Sequence, residues 1–446
     1  MSTPIPPWEP LSEPVLKDQL GTYDRMRAAC PVAQSPRGVS LFRHADVVAT
    51  ADDPGTFSSS ASGYRAVPNS LDPPEHTAFR AIIDPFFAPE RMRALEARIR
   101  GIAHELIGSL LRGVPVDAVR EIGYPFAVRA QADWLGWRGI EDELLAWMDA
   151  NHAATRSRDR SRTTAVAAAF DELILAQLRR RRQVAADRHS AAARDAIPQG
   201  GALREVTSQG DPRDVNSPRD PKDVNSERNS KGVNSERDPK DVNSEGDPRE
   251  KISPDDPTTE LMQLAVHGRP LTDAEIVSIL RNWTAGDLGS IAAAIGVIVH
   301  FVATHPEVQA ALRDGLSDPA AAVDEMLRID DPFLVNRRVT TKSARVGGFE
   351  VEPGTRVYLL WASANRDEAV FGDPDAYRPA EHAAHNLVYG TGIHACPGRP
   401  LATLELVTIL QTLLQQTERV ELASDSQPVR ETYPLGGWRR VPVRLS

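Results

Sequence analysis

The alternation of apolar and polar positions predicts helices over most of the chain and strands over little of it. Leucines at helical spacing, with a proline near the first turn, predict a helix over residues 89–111. The same periodicity predicts helices over residues 141–154 and 163–184, whereas the apolar run at residues 39–42 predicts a short strand. We therefore expect the first part of the chain to be mainly helical.

Helical periodicity returns in the last part of the chain. Thr272 and Glu275 have the spacing of a capping box, which predicts the start of a long apolar helix that ends near residue 304. Two shorter helices are predicted over residues 306–314 and 319–329.

One segment of this part has the period of strands. Alternation over residues 346–360 predicts a β hairpin with its turn at Pro353 and Gly354. The expected fold class is therefore mainly α with a minor β part.

The middle of the chain is repetitive and polar. Residues 211–246 contain four copies of a nonapeptide, and a fifth copy begins at Asp247, so the repeats occupy residues 211–250. Each complete copy has a single apolar residue, a valine. Stacked copies could not bury a continuous core, unlike the repeats of a solenoid.

We predict that residues 189–253 form a disordered low-complexity insertion in a single domain built from residues 1–188 and 254–446. Because the cost of closing a loop grows only logarithmically with its length, a surface insertion of this size need not unfold its host. Two interpretations remain open: a tandem expansion without function, and a tether or docking segment.

Composition narrows the class of protein. The 446 residues are 41% hydrophobic with a formal charge of −10, which is typical of a soluble globular protein with a core of its own. The acidic balance argues against general nucleic-acid binding. The first residues lack the pattern of a signal peptide, and no run reaches about 18 uninterrupted apolar residues. We expect a cytoplasmic protein without a membrane anchor.

Cysteine usage excludes several kinds of site. Only Cys30 and Cys396 occur, so this chain cannot hold a disulfide framework, a zinc ribbon or an iron–sulfur cluster with four cysteine ligands. The histidines show no zinc-binding spacing such as His-Glu-x-x-His. A redox reaction would need electrons from another protein.

Cys396 lies in a loop that suits a thiolate metal ligand. The run from Tyr389 to Gly398 reads Tyr-Gly-Thr-Gly-Ile-His-Ala-Cys-Pro-Gly, and an apolar helix follows it. The glycines allow close approach to a flat cofactor, and the positive end of the helix dipole favours the thiolate. The alternative is an ordinary small buried thiol.

This run resembles the haem-binding loop of the cytochrome P450 family, Phe-Gly-x-Gly-x-His/Arg-x-Cys-x-Gly, with Tyr389 in place of Phe. The order of elements resembles the same family outside the insertion. The resemblance implies the cytochrome P450 fold, an α-rich domain plus a small β-sheet region. It also implies haem b (iron protoporphyrin IX) as cofactor, with Cys396 as axial iron ligand and Tyr389, Gly390 and His394 against the haem.

A supporting ion pair is expected next to the loop. Glu325 and Arg328 are three apart on one helix face, where they can pair, and they resemble the family's structural Glu-x-x-Arg motif. The family usually adds an arginine from the segment before the cysteine loop. That arginine is missing here, and His382 is the candidate substitute.

Haem propionates need cationic or hydrogen-bonding partners. Segments resembling the family positions that supply them contain His76 and Arg80, Arg338, and His394. Each residue taken singly could be a solvated charge or a core histidine, but their joint occurrence favours propionate contacts.

The long helix departs from the family on the oxygen side. The family usually has Ala-Gly-x-Asp/Glu-Thr, whereas Ala285 and Gly286 are followed here by Asp-Leu-Gly-Ser. Asp287 and Ser290, three apart, could form the proton relay from shifted positions. Alternatively, Asp287 is a solvent-side carboxylate and Ser290 a packing residue. The run resembles the haem domain of self-sufficient monooxygenases fused to a reductase, although this sequence carries no reductase.

The resemblance implies a haem-thiolate monooxygenase that uses dioxygen and two electrons to oxidise a small organic substrate. The expected partners are a ferredoxin and its reductase, with no nucleic acid and no membrane. The alternatives are a peroxygenase driven by hydrogen peroxide and a haem-binding redox or gas sensor without turnover.

Overall fold

The computed structural model describes residues 5–195 and 256–446. Contacts divide the chain into one unit of Met1–Arg181 with Lys251–Ser446 and a second unit of Arg182–Glu250. Of the second unit, only the end of one helix is described. The nonapeptide repeats, and most of the predicted insertion at 189–253, lie outside the described residues.

Helices make up most of the described chain, as predicted. In chain order they are α1 (Glu13–Lys17), α2 (Gln19–Ala29), α3 (His44–Ala51), α4 (Glu75–Ile83), α5 (Pro89–Ser109), α6 (Tyr124–Leu135), α7 (Glu141–Ser157), α8 (Arg160–Asp195), α9 (Pro257–Leu261), α10 (Asp273–Thr304), α11 (Pro306–Arg313), α12 (Pro319–Ile329), α13 (Trp361–Ala364), α14 (Glu368–Phe371), α15 (Pro379–His382) and α16 (Arg399–Gln416). The helices predicted over 89–111, 306–314 and 319–329 are confirmed as α5, α11 and α12. Helix α8 is longer than the predicted 163–184.

The strands are short and form small sheets. They are β1 (Val32–Ser35), β2 (Gly38–Leu41), β3 (Phe57–Ser58), β4 (Pro115–Asp117), β5 (Ala265–Val266), β6 (Arg269–Pro270), β7 (Asn336–Thr340), β8 (Ala344–Val346), β9 (Phe349–Val351), β10 (Arg356–Leu359), β11 (Val420–Leu422), β12 (Val429–Arg430), β13 (Trp438–Arg440) and β14 (Pro442–Leu445). The largest sheet has the order β1-β2-β10-β7-β3, in which β2 and β10 are parallel.

The predicted hairpin with its turn at Pro353 and Gly354 is wrong. The local hairpin joins β8 to β9 through Gly347 and Gly348, whose φ values are +54° and +92°. Two consecutive left-handed residues suit a two-residue hairpin turn, and glycine adopts them without strain. Strand β10 pairs instead with β7 and β2. The alternating pattern identified the strands but could not identify their partners.

Helix α10 runs through the main hydrophobic core. The predicted capping box at its start is present, because Thr272 Oγ1 accepts from the N–H of Glu275 and the Glu275 carboxylate accepts from the N–H of Thr272. By length and composition α10 could cross a membrane, but 61% of its most apolar window is buried inside the protein. Among the described helices it alone passes this test, and its burial is that of a core helix.

Two glycines let α10 approach a turn of π-helix over residues 118–123. A Cβ at Gly296 would lie 2.7 Å from Val119 Cγ2, and a Cβ at Gly123 would lie 2.9 Å from the carbonyl oxygen of Ala292. Both distances are shorter than van der Waals contact. The close packing of this core therefore requires the missing side chains.

We expect Gly296→Ala to destabilise the protein by about 1–3 kcal/mol, because its methyl group must displace the buried Val119 side chain. Gly101→Ala is the matched control: Gly101 is also inside a helix, and nothing lies within 4 Å of its Cβ position. That change should stabilise by about 0.5–1 kcal/mol. Urea unfolding followed by circular dichroism measures both values, and a Gly296→Ala protein as stable as the control would contradict the packing argument.

Candidate functional site

A cavity of about 740 Å³ is lined by α10 and by the loop that precedes α16. Its volume lies within the range of about 300–1,000 Å³ that is usual for ligand and cofactor sites. Cys396 lies on the wall formed by the loop, and Asp287 on the wall formed by α10. The cavity therefore brings the two sequence-predicted reactive groups into one space.

The loop around Cys396 is closed by backbone contacts. The N–H of Cys396 donates to the carbonyl of Tyr389 at 2.9 Å. Gly390 and Gly392 have φ values of +70° and +69°, which favour glycine. A Cβ at Gly392 would lie 2.7 Å from Asp52 Oδ1, so this position also lacks the space for a side chain.

The thiol of Cys396 experiences two opposing effects. Burial raises the pKa of Cys396, and the backbone N–H groups of Gly398 and Arg399 act to lower it. These N–H groups belong to the start of α16, as the predicted helix-dipole effect requires. The effect of burial is the larger one, so the pKa of Cys396 is raised overall. The N–H groups of Gly398 and Arg399 would stabilise the thiolate form.

Arg80 fastens the loop to α4. Its guanidinium donates to the carbonyls of Ile393 and Ala395, each at 3.0 Å, and pairs with Asp84 at 2.6 Å. One side chain therefore holds the residues on either side of His394.

Four cationic or ionisable side chains meet beside this loop. The rings of His76 and His394 have centroids 4.2 Å apart, and His394 Nε2 hydrogen-bonds Ser59 Oγ at 2.8 Å. Burial lowers the pKa of His394 to about 3, and the nearby Arg338, His76 and Arg80 act in the same direction.

Arg80 pairs with Asp84, but the other three members of this cluster have no ion-pair partner in the part of the chain that the structure describes. His76 Nε2 is buried and has no hydrogen-bond partner among the described residues. Arg338 is 5% exposed and makes no ion pair with the residues that the structure describes. Burial lowers the pKa of Arg338, which Asp72 only partly opposes. Such a site fits an anionic group.

Glu325, Arg328 and His382 meet as the sequence predicts. Arg328 donates to both carboxylate oxygens of Glu325, at 2.8 and 2.9 Å, and His382 Nδ1 lies 2.7 Å from Glu325 Oε1. Burial acts to raise the pKa of Glu325, but its hydrogen bonds with Arg328, the Arg378 N–H and His382 lower it overall.

On the wall formed by α10, Ala285, Gly286, Asp287 and Ser290 all line the cavity. Burial raises the pKa of Asp287, and its Oδ2 has no partner within residues 5–195 and 256–446. No hydrogen bond joins Asp287 to Ser290 in that part of the chain. The two residues share the cavity, but they do not form a closed relay in this structure.

Sequence reasoning missed three polar residues near this wall. Glu405 of α16 is fully buried, and neither of its carboxylate oxygens has a partner among the described residues. Burial and the charge of Asp287 raise the pKa of Glu405. Tyr124 and His152 also line the cavity. A lone carboxylate in the apolar run of α16 was the available signal for Glu405.

Comparisons with known proteins agree with these features. A family model described as Cytochrome P450 matches residues 320–437. "Cytochrome P450 109" of Bacillus spizizenii is 25% identical over 95% of this chain and 91% of its own length. "Erythromycin C-12 hydroxylase" of Saccharopolyspora erythraea is 27% identical over 97% of this chain and 94% of its own length. A solved structure of a P450 EryK mutant in complex with erythromycin B has a TM-score of 0.71 at 25% identity, over 96% of each chain.

Removing the negative charge of Glu325 should destabilise the protein strongly. Glu325→Gln leaves Arg328 buried beside a neutral amide, which we expect to cost about 3–5 kcal/mol. His382→Ala keeps the ion pair and removes one hydrogen bond, so a smaller loss of about 1–3 kcal/mol is expected. Urea unfolding measures both losses.

Glu381→Gln is the control, since Glu381 is 69% exposed and makes only a surface pair with Arg378. Its free energy of unfolding should stay nearly unchanged. Equal losses of unfolding free energy in Glu325→Gln and Glu381→Gln would show that the buried ion pair stabilises the protein no more than the surface pair does.

Proposed function

We propose that this chain, a haem-dependent monooxygenase of the cytochrome P450 family, oxidises a small organic molecule with two electrons from separate partner proteins. The ligand we propose for the haem iron is Cys396, and the observation that carries the proposal is its place in the cavity that Asp287 also lines.

The residues around the cavity fit haem. Its two propionates would supply anions to His76, Arg338 and His394, and to Arg80 beside the Asp84 carboxylate that it already binds. The buried Nε2 of His76 would gain a partner. Tyr389, Gly390, Ala285 and Gly286 would face the ring, since each lines the cavity. The Glu325, Arg328 and His382 cluster would act as structural support.

Bound haem with a thiolate ligand supplies dioxygen reduction and O–O cleavage. The chain contributes the surroundings of that chemistry. Aromatic and aliphatic side chains on the cavity wall exclude water, among them Phe87, Trp283 and Leu334. Asp287 holds a proton at its carboxyl group more readily than an exposed carboxylate, because burial raises its pKa.

The electron donors we propose are a ferredoxin and its reductase, in the cytoplasm. This chain has only two cysteines, and among the described residues no group of three or more His, Cys, Asp or Glu could hold a metal ion. Electrons would therefore arrive from another protein. The substrate class is a small organic compound, as the relatives' names suggest: "Erythromycin C-12 hydroxylase" is one of them.

A peroxygenase is the second candidate. It is favoured by the absence of a hydrogen bond between Asp287 and Ser290 in the described chain, and by Gly289, which has no side chain to assist a proton relay. An enzyme that takes oxygen from hydrogen peroxide needs no such delivery of protons to dioxygen.

Replacing Cys396 tests the proposed ligand. We expect Cys396→Ser to retain the fold at reduced haem occupancy and to lose oxygenation, because the alcohol does not provide the anionic sulfur. The reduced carbon monoxide spectrum should lose the red-shifted Soret band of thiolate ligation. Cys30→Ser, at the other cysteine, is the control and should behave as wild type. A fully active Cys396→Ser protein would refute thiolate catalysis.

Replacing Asp287 tests the source of oxygen. Asp287→Asn should slow turnover with dioxygen and a ferredoxin system by on the order of 10²-fold, because the amide cannot transfer a proton. Turnover with hydrogen peroxide should fall much less. Asp142→Asn, at an exposed acid of α7, should change neither rate. Equal losses with both oxidants would assign Asp287 to packing or substrate contact, and efficient turnover with peroxide alone would favour the peroxygenase.

A further inference from the structure

The imidazole of His152 reaches from α7 to the middle of α10. Its Nε2 lies 3.5 Å from the position that a Cβ would occupy on Gly289. Both residues line the cavity. Nε2 makes no hydrogen bond with the residues that the structure describes, and the bare backbone of Gly289 leaves the space beside it open.

The other ring nitrogen is fixed by a neighbour. His152 Nδ1 hydrogen-bonds the hydroxyl of Tyr124, the first residue of α6. The guanidinium of Arg120 lies over the face of the Tyr124 ring, 4.9 Å from its centroid. Burial raises the pKa of the Tyr124 phenol, which therefore keeps its proton. A protonated phenol is a stronger donor than a neutral imidazole N–H, which favours the arrangement in which Tyr124 donates to Nδ1.

This arrangement favours one tautomer of His152. Burial lowers the pKa of His152, with Arg156 and Arg120 acting in the same direction and Glu431 and Asp149 opposing them. A neutral imidazole has one N–H, and an Nδ1 that accepts from Tyr124 leaves the hydrogen on Nε2. With that tautomer, Nε2 presents a hydrogen-bond donor to the cavity.

The donor lies in a cavity with a largely aromatic wall nearby. The rings of Phe87, Trp134 and Trp283 line the same cavity and pack with centroids 5.2–5.6 Å apart. A polar group in such surroundings fixes the orientation of a ligand, because an unpaired donor would be left desolvated when an apolar ligand enters.

We propose that His152 positions the substrate by donating a hydrogen bond from Nε2 to an acceptor oxygen, with Tyr124 as the positioning residue that holds the ring. The substrate class is an apolar molecule with a carbonyl or similar acceptor oxygen. This inference rests on the proposed function, because it assigns the ligand of the same cavity.

The experiment measures binding without turnover. Cyclic ketones with eight, ten and twelve ring carbons are compared with methylenecycloalkanes of the same ring size, which replace the carbonyl by a group of similar shape. Isothermal titration calorimetry gives the dissociation constant of each ligand for the oxidised holoenzyme. The quantity compared between variants is the ratio of the two constants, which cancels the difference in ligand hydration.

We expect His152→Phe to reduce the preference for ketone roughly three- to tenfold, the usual contribution of one hydrogen bond. His152→Gln, whose amide N–H can replace Nε2–H, should restore part of the preference. Tyr124→Phe should give an intermediate loss, because the imidazole is then free to carry its proton on Nδ1. His104→Phe, on the surface of α5, is the control.

An unchanged ratio in His152→Phe would overturn the inference, as would a failure of the wild-type protein to bind any of the three ketones. The reduced carbon monoxide spectrum separates this outcome from a failure of the proposed function. A wild-type protein without the thiolate band would refute Cys396 ligation, whereas calorimetry would still decide whether His152 contacts the ligand.

Discussion

The rest of the site depends on the buried guanidinium of Arg328. It is fully buried, and besides the Glu325 carboxylate it binds the backbone carbonyls of Asn365, Pro374 and Ala376. Arginine cannot shed its charge, so these acceptors are required once the group is buried. These bonds hold the segment before the cysteine loop against α12. The position of the loop depends on that segment, because the loop follows it in the chain.

On the other side of the loop lies the cationic cluster that we propose for the haem propionates. Burial lowers the pKa values of His76, Arg338 and His394, and neighbouring positive charges lower those of the two histidines further. An anionic ligand would oppose this effect. A ligand that binds only the folded state also stabilises it, so haem with its propionates at this cluster, as we propose, would add to the stability of this region.

The sequence predicted what is local and missed what depends on packing. The residues of the cysteine loop are adjacent in the chain, and His382 was found because one arginine was missing from a recognisable segment. The partners of β10 are distant in sequence, so periodicity could not identify them. Likewise, His152 and Tyr124 belong to different helices, and only the packed structure shows that they meet beside α10.

The contact between Gly289 and His152 has a consequence for how such an enzyme can change by mutation. Nε2 lies 3.5 Å from the Cβ position of residue 289, which is ordinary van der Waals contact, so alanine fits there beside the ring. Residues in direct contact do not contribute independently, so substitutions at the two positions are expected to be coupled. A serine or threonine at position 289 would bring its hydroxyl next to the imidazole, and its effect would depend on whether residue 152 is still histidine.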